Sequence, residues 1–146
     1  MTHNTLATLT ARTGLTVLDH LEQQVTIPVH DGLQAQGDLM IVPFALVAAD
    51  IHLFPQGRWS TVPTRGTELL RGAAGGNPHT LIPEPGRCRW TNAFTDRTGL
   101  GLTLVDTDVV AYVLHPEHGA TGLAPGRYVI RRQREHDGRA ARFIAD

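Results

Sequence analysis

The chain has 146 residues, a net charge of −1 and 41% hydrophobic residues, a balance that suits one folded domain able to bury its own core. Its one cysteine, Cys88, excludes an internal disulfide framework and Cys-rich zinc sites, and the absence of lysine excludes a Schiff-base lysine and the lysine of a Walker A loop. The single serine lies in Gly57-Arg58-Trp59-Ser60-Thr61, which is no nucleophile elbow, and the chain has neither a long apolar run nor a signal-like N-terminus, so no membrane span and a cytoplasmic location are expected.

Residues 1–12 are Thr-rich and polar and are expected to be flexible. Apolar positions Val17, Leu18 and Leu21 behind Thr16 and Asp19 predict a short helix over about 16–24. Val25 to Val29 reads as an edge strand, because Pro28 removes a ladder donor. Gln36-Gly37-Asp38 reads as a turn into a buried strand, Leu39 to Val42, that Pro43 stops. Within 44–64, Leu46 to Leu53 is open between strand and helical turn, while Pro55-Gln56-Gly57 and Pro63 mark loops; Thr67 to Arg71 is a short strand, and Gly72 to Pro78 is the most flexible stretch.

From His79 onward the pattern is β. His79 to Ile82 ends at Pro83, and alternation within Arg87 to Phe94 puts Cys88 on the core side, where an inert buried thiol is expected. Leu100 to Val105 and Val109 to Leu114 flank Asp106-Thr107-Asp108, which reads as a three-residue hairpin loop, with Leu100, Leu102 and Leu104 on one core face. The turn at Pro125-Gly126 launches a last strand over about 127–135. Short strands separated by turn signals predict a mainly β, single-domain antiparallel sandwich or barrel with a short N-terminal helix.

The densest chemistry lies in His115-Pro116-Glu117-His118. His115 closes a strand, and one turn through Pro116 and Glu117 lets the His115 and His118 imidazoles converge. A metal site needs three or four ligands. His79, after the glycine-rich segment, Glu117 and Glu135 are candidates for the others, and His79, His115, His118 and Glu117 form the candidate set for a divalent metal.

Residues 127–146 carry six arginines against three acids, net +3, on a body of net −4. Without interleaved aromatics this argues against nucleic acid. Arg132, Gln133, Arg134 and Glu135 at the end of the last strand form a rim able to hold a polar or anionic ligand by charge-assisted hydrogen bonds.

These residues resemble a group of small uncharacterised bacterial proteins. The group shares a Gln-Gly-Asp strand ending in Pro (here Gln36 to Pro43) and a Gly-His-Ala-His element (here Gly76 to Leu81). It also shares a His-x-Glu-His…Pro-Gly-x-Tyr…Arg-Gln-Arg-Glu ending (here His115 to Asp146). Asn77 stands in place of the first histidine of the middle element. The resemblance singles out the same residues and implies no reaction.

Two functional readings follow. In the first, a histidine-lined polar pocket binds a divalent metal or a small anionic ligand, and any catalysis is metal-assisted hydrolysis or oxygen chemistry. In the second, the domain is a non-catalytic interaction module whose Arg-rich last strand meets a protein partner or a second copy of the chain.

Overall fold

A computed structural model describes residues 4–18, 21, 23–71, 77–136 and 141–143, with backbone alone for Arg71 and for residues 134–136 and 141–143. The expected helix is present but lies upstream of its predicted place. α1 spans Leu6–Thr13, all but its last residue in the stretch expected to be flexible, while the described residues of 16–24 form no helix. Its signal is a capping box that the Thr-rich composition disguises. Thr5 Oγ1 accepts the Thr8 N–H at 3.2 Å, and Thr8 Oγ1 accepts the Thr5 N–H at 2.9 Å. Gly14, at φ 75°, closes the other end in the left-handed conformation.

In chain order the strands are β1 (Val29–His30), β2 (Gln34–Gln36), β3 (Leu39–Pro43), β4 (Ile51–Leu53), β5 (Ser60–Thr61), β6 (Thr67–Arg71), β7 (Pro78–Pro83), β8 (Cys88–Thr91), β9 (Phe94–Asp96), β10 (Gly101–Thr107), β11 (Ala111–His115), β12 (Gly119–Leu123), β13 (Gly126–Arg132), β14 (Arg134–His136) and β15 (Ala141–Phe143). A short helix α2 (Phe44–Val47) and a 3-10 turn (Ala48–Asp50) follow β3. The predicted strand over 25–29 shortens to Val29–His30, at one edge of its sheet.

Two sheets face each other in a sandwich-like arrangement, with no closed barrel among the described residues. One runs β1-β12-β11-β7-β6 and the other β2-β3-β13-β10-β8-β5, while β4–β9 and β14–β15 are separate two-stranded ladders. Every ladder is antiparallel except β1–β12. No described helix is long and apolar enough to cross a membrane.

Alternation sorts the side chains into layers. Leu39, Ile41, Leu81, Cys88, Val105, Val113, Leu123, Tyr128 and Ile130 meet between the two sheets. Ile82, Tyr112 and Leu114, the opposite faces of β7 and β11, are covered by Leu6 and Leu9 of α1. This two-sided cover is why β11 is buried at all five positions. On the far side, Val42, Leu104 and Val129 are buried outside both clusters, where α2 packs against β3 and β13.

The Asp106–Asp108 hairpin does not form. β10 pairs with β13 and β8, β11 pairs with β12 and β7, and the chain crosses from one sheet to the other at 108–110. Thr107 holds that crossing, its hydroxyl donating to Val109 O at 2.7 Å. The leucine face also breaks. A bulge between Gly101 and Thr103 turns Leu102 toward the inter-sheet core, while Leu104 is buried outside it.

Gly122 is sterically required. A Cβ there would stand 2.6 Å from Pro28 O and 3.1 Å from Val29 Cα, the backbone of the strand beside it. Gly122→Ala is expected to cost about 1–3 kcal/mol by forcing β1 off β12. Urea unfolding with unchanged stability would show that β1 is not held by this close approach.

Candidate functional site

The β11–β12 hairpin presents the first histidine cluster. His115 pairs with Gly119 across the turn Pro116-Glu117-His118, and His115 Nδ1 accepts the N–H groups of Glu117 (3.0 Å) and His118 (3.3 Å). Because Nδ1 is an acceptor there, the ring proton of a neutral His115 sits on Nε2. The imidazoles do converge, with ring centroids of His115 and His118 4.5 Å apart. Glu117 points elsewhere, accepting from Asn77 Nδ2 at 3.0 Å on the exposed surface.

His79 joins this row. Thr80 lies opposite Leu114 in the β7–β11 ladder, so His79 lies beside His115, with ring centroids 4.5 Å apart. The row runs from His79 and His115, exposed 0% and 1%, to an exposed His118.

The partners of His79 come from the opposite sheet. Its Nδ1 lies 2.8 Å from Gln36 Oε1 and its Nε2 lies 3.0 Å from Asp38 Oδ1. The Gln36 amide cannot be turned round, because its Nε2 donates to Val113 O at 2.9 Å and Gly119 O at 3.4 Å. Nδ1 of His79 must therefore donate to Oε1. A second proton then occupies the Nε2–Oδ1 contact, so His79 and Asp38 together hold two protons. Both ring nitrogens of His79 are thus engaged by side chains of the β2–β3 hairpin.

Among the described residues no group of three or more His, Cys, Asp or Glu side chains is arranged to hold a metal ion. Sequence patterning identifies Gln36 and Asp38 only as turn residues. Their burial depends on which strand lies opposite, a long-range fact that local spacing does not carry.

A second feature opens at the same end of the sandwich. Leu70 pairs with His79 in the β6–β7 ladder, and Arg132 pairs with Leu39, the neighbour of Asp38, in the β13–β3 ladder. Between them lies a cleft of about 390 Å³ lined by Thr67, Glu68, Leu69, Leu70, Trp90, Asn92, Leu102, Thr103 and Arg132. Two β-bulges shape it, one between Glu68 and Leu70 and one between Gly101 and Thr103. Each bulge brings consecutive residues to the same cavity, Leu69 with Leu70 and Leu102 with Thr103, where a regular strand would alternate them. Thr103 Oγ1 donates to Asn92 Oδ1 at 3.2 Å, which orients the amide.

Of the predicted ligand-binding residues, Arg132 lines this cleft. Gln133 is placed nearby, its N–H donating to Asp38 O at 2.8 Å and its Nε2 meeting Met40 Sδ at 3.4 Å. The side chains of Arg134 and Glu135 lie outside the described residues, as does the Gly72–Gly76 segment. Trp90, Asn92, Leu69, Leu70 and Thr103 do not stand out in the sequence, because a bulge leaves no mark in an alternating pattern.

Arg127 and Arg131 of the last strand form ion pairs within the chain. Arg127 and Arg89 both bond Asp106, at 3.3 and 3.0 Å, and Arg89 stacks over Trp59 at 4.3 Å. Burial alone would raise the Asp106 carboxyl. The hydrogen bonds and charges of Arg89 and Arg127 outweigh it and hold the group below the usual carboxylate range. Cys88 is buried, as expected. Burial pushes it above the ordinary thiol value and the Asp106 charge adds to this, against a hydrogen bond with Thr107.

Residues 35–133 match a family model described as a domain of unknown function (DUF8820). No curated protein and no solved structure matches the chain.

Proposed function

The chain belongs to this family of unknown function, and because the matched region holds every residue of the cleft, we propose that the domain binds a small organic molecule bearing an anionic group there, with Arg132 as its counter-charge. The observation that carries this reading is the pair of bulges. They interrupt both sheets at one place and open a cavity of ligand size whose apolar wall, Trp90, Leu69, Leu70 and Leu102, is joined by a few polar groups. An aromatic face and leucines hold the body of such a ligand. Asn92 and Thr103 supply hydrogen bonds, and the guanidinium supplies direction.

On this reading the histidine row is the polar plug of the sandwich. His79 ties one sheet to the other through Gln36 and Asp38, and His115 shapes the turn next to it. The divalent-metal reading of His79, His115, His118 and Glu117 is the competing one, resting on the close stacking of the three imidazoles. Zinc added at neutral pH and removed by gel filtration decides between them. Stoichiometric retention that His118→Ala abolishes would favour the metal. The reading of the last strand as a partner surface is weakened by the internal pairing of Arg127 and Arg131.

The cleft is tested by titrating the protein with a panel of small carboxylates that have apolar bodies, 3-phenylpropionate among them, by calorimetry and thermal shift. Saturable binding that stabilises the fold in proportion to ligand concentration is expected, reduced about tenfold or more in Arg132→Gln. Equal affinity in that variant, or no saturation by any member of the panel, would end the proposal.

A further inference from the structure

β5 is an edge strand of the six-stranded sheet, paired with β8 on one side and open on the other. Beside it, the Val62 N–H donates to Cys88 O at 2.9 Å, and Thr91 Oγ1 donates to Arg58 O at 2.7 Å. Main-chain groups alternate in direction along a strand, so Arg58, Ser60 and Val62 turn theirs toward β8. Trp59 and Thr61 then turn an N–H and a C=O each to the open edge, where no group bonds them among the described residues. Ser60 and Thr61 are exposed, and Pro63 ends the run.

An arginine stands near each end of this edge. Arg58 and Arg65 are both exposed, and among the described residues neither has an ion pair. Arg89 on the next strand is paired with Asp106 and stacked on Trp59, so it holds the edge in place and adds no unpaired charge to it. We propose that the β5 edge docks an extended acidic segment of another protein. The segment adds as a strand beyond β5, bonds the main chain of Trp59 and Thr61, and brings carboxylates to Arg58 and Arg65.

Charge chooses the occupant. A second copy pairing edge to edge would bring the two arginines of each chain toward those of the other, a like-charge contact that opposes self-association. A strand bearing carboxylates meets the same two cations as opposites. The stretch from Trp59 to Thr61 holds no proline and no charge, the features that block an edge, so its main chain is open to a partner. Nucleic acid would bring anions but not the alternating N–H and C=O groups that this edge pairs with. The chain as a whole carries −1, so it has no general attraction for polyanions, and the positive site is local.

The experiment titrates the full chain at low salt with the acetylated and amidated peptide Glu-Glu-Val-Thr-Val-Glu-Glu, followed by nitrogen–proton NMR. Two control peptides carry Gln in place of every Glu, or N-methyl groups on the central Val-Thr-Val. Saturable shifts of the amides from Trp59 to Arg65 are expected, with slowed hydrogen exchange at Trp59 and Thr61. Affinity should fall about fivefold or more with the glutamine peptide and in the double variant Arg58→Gln, Arg65→Gln, whose fold is checked by circular dichroism. N-methylation should abolish binding, because it removes the donors of the added strand. Unchanged affinity in the double variant, equal binding of the N-methylated peptide, shifts centred elsewhere, or no saturation would each overturn the proposal. So would an oligouridylate that binds this edge more tightly than the acidic peptide.

Discussion

Replacing His79 by leucine is expected to destabilise the protein by about 3–5 kcal/mol, the cost of breaking a buried pair by removing one partner. The leucine is apolar and of similar bulk, so packing is nearly conserved. What is lost is the donor to Gln36 Oε1 and the imidazole partner of Asp38, both of them buried. The proton count makes a sharper claim. In Asp38→Asn the amide can donate to Nε2 of a neutral His79 while Nδ1 still donates to Gln36, so that variant is expected to lose only about 1 kcal/mol. In the Asp38→Asn background, His79→Leu should then cost about 1–2 kcal/mol less than in the native chain, because it strands an amide in place of a carboxylate. Urea unfolding of the four proteins gives this cycle, and nitrogen NMR of the native chain should show His79 Nδ1 protonated. An additive cycle would mean that His79 and Asp38 do not act as a pair.

Arg131→Gln is expected to be the second costly change, at about 2–3 kcal/mol, between the values for exposed and fully buried pairs. Arg131 makes a two-pronged contact with Asp96, at 2.8 and 3.0 Å, and reaches Asp50 at 3.3 Å. It thereby pins β9 and the 3-10 turn to β13. Burial by itself would raise the Asp96 carboxyl, but the hydrogen bonds from Arg131 and Thr98 and the Arg131 charge prevail and hold it low. A carboxyl depressed in the folded state stabilises the protein fully above its unfolded value, about 3.9, and the contribution is lost as pH falls through the folded value. The deficit of Arg131→Gln should therefore be largest at neutral pH and shrink in acid. Urea midpoints from pH 7 to pH 2.5 follow it, and a deficit of constant size would show that the guanidinium acts through packing alone.

Much of the fold is legible in the residues. Alternation locates β7, β10 and β11 within a residue or two and the starts of β8 and β13 within one, though it carries both of these three residues too far, and turn chemistry at Gly37-Asp38 and Pro125-Gly126 divides the strands correctly. It places Cys88 in the core and brings His115 and His118 together across one turn. The helix is displaced from its expected position because Thr5 and Thr8 cap as a pair of hydroxyls, a weaker signal than the apolar run downstream.

The absent hairpin at Asp106–Asp108 has a different cause. Period-two alternation states that a strand has a core face. It does not state which sheet that face belongs to, so β10 and β11 look identical to a hairpin although they lie in opposite layers.

From its residues alone, then, the chain specifies most of its strands and the chemical groups available: arginine in place of lysine, one free thiol, and histidines at strand ends. Which of those groups meet is settled only in three dimensions. Asp38 and Gln36 reach His79 from another sheet, and Arg132, Trp90 and Leu70 come to one cleft, because long-range pairing and two β-bulges put them there. Contact between residues that are 40 or more positions apart is set by the collective burial of both faces of each sheet, and no local pattern of side chains encodes it.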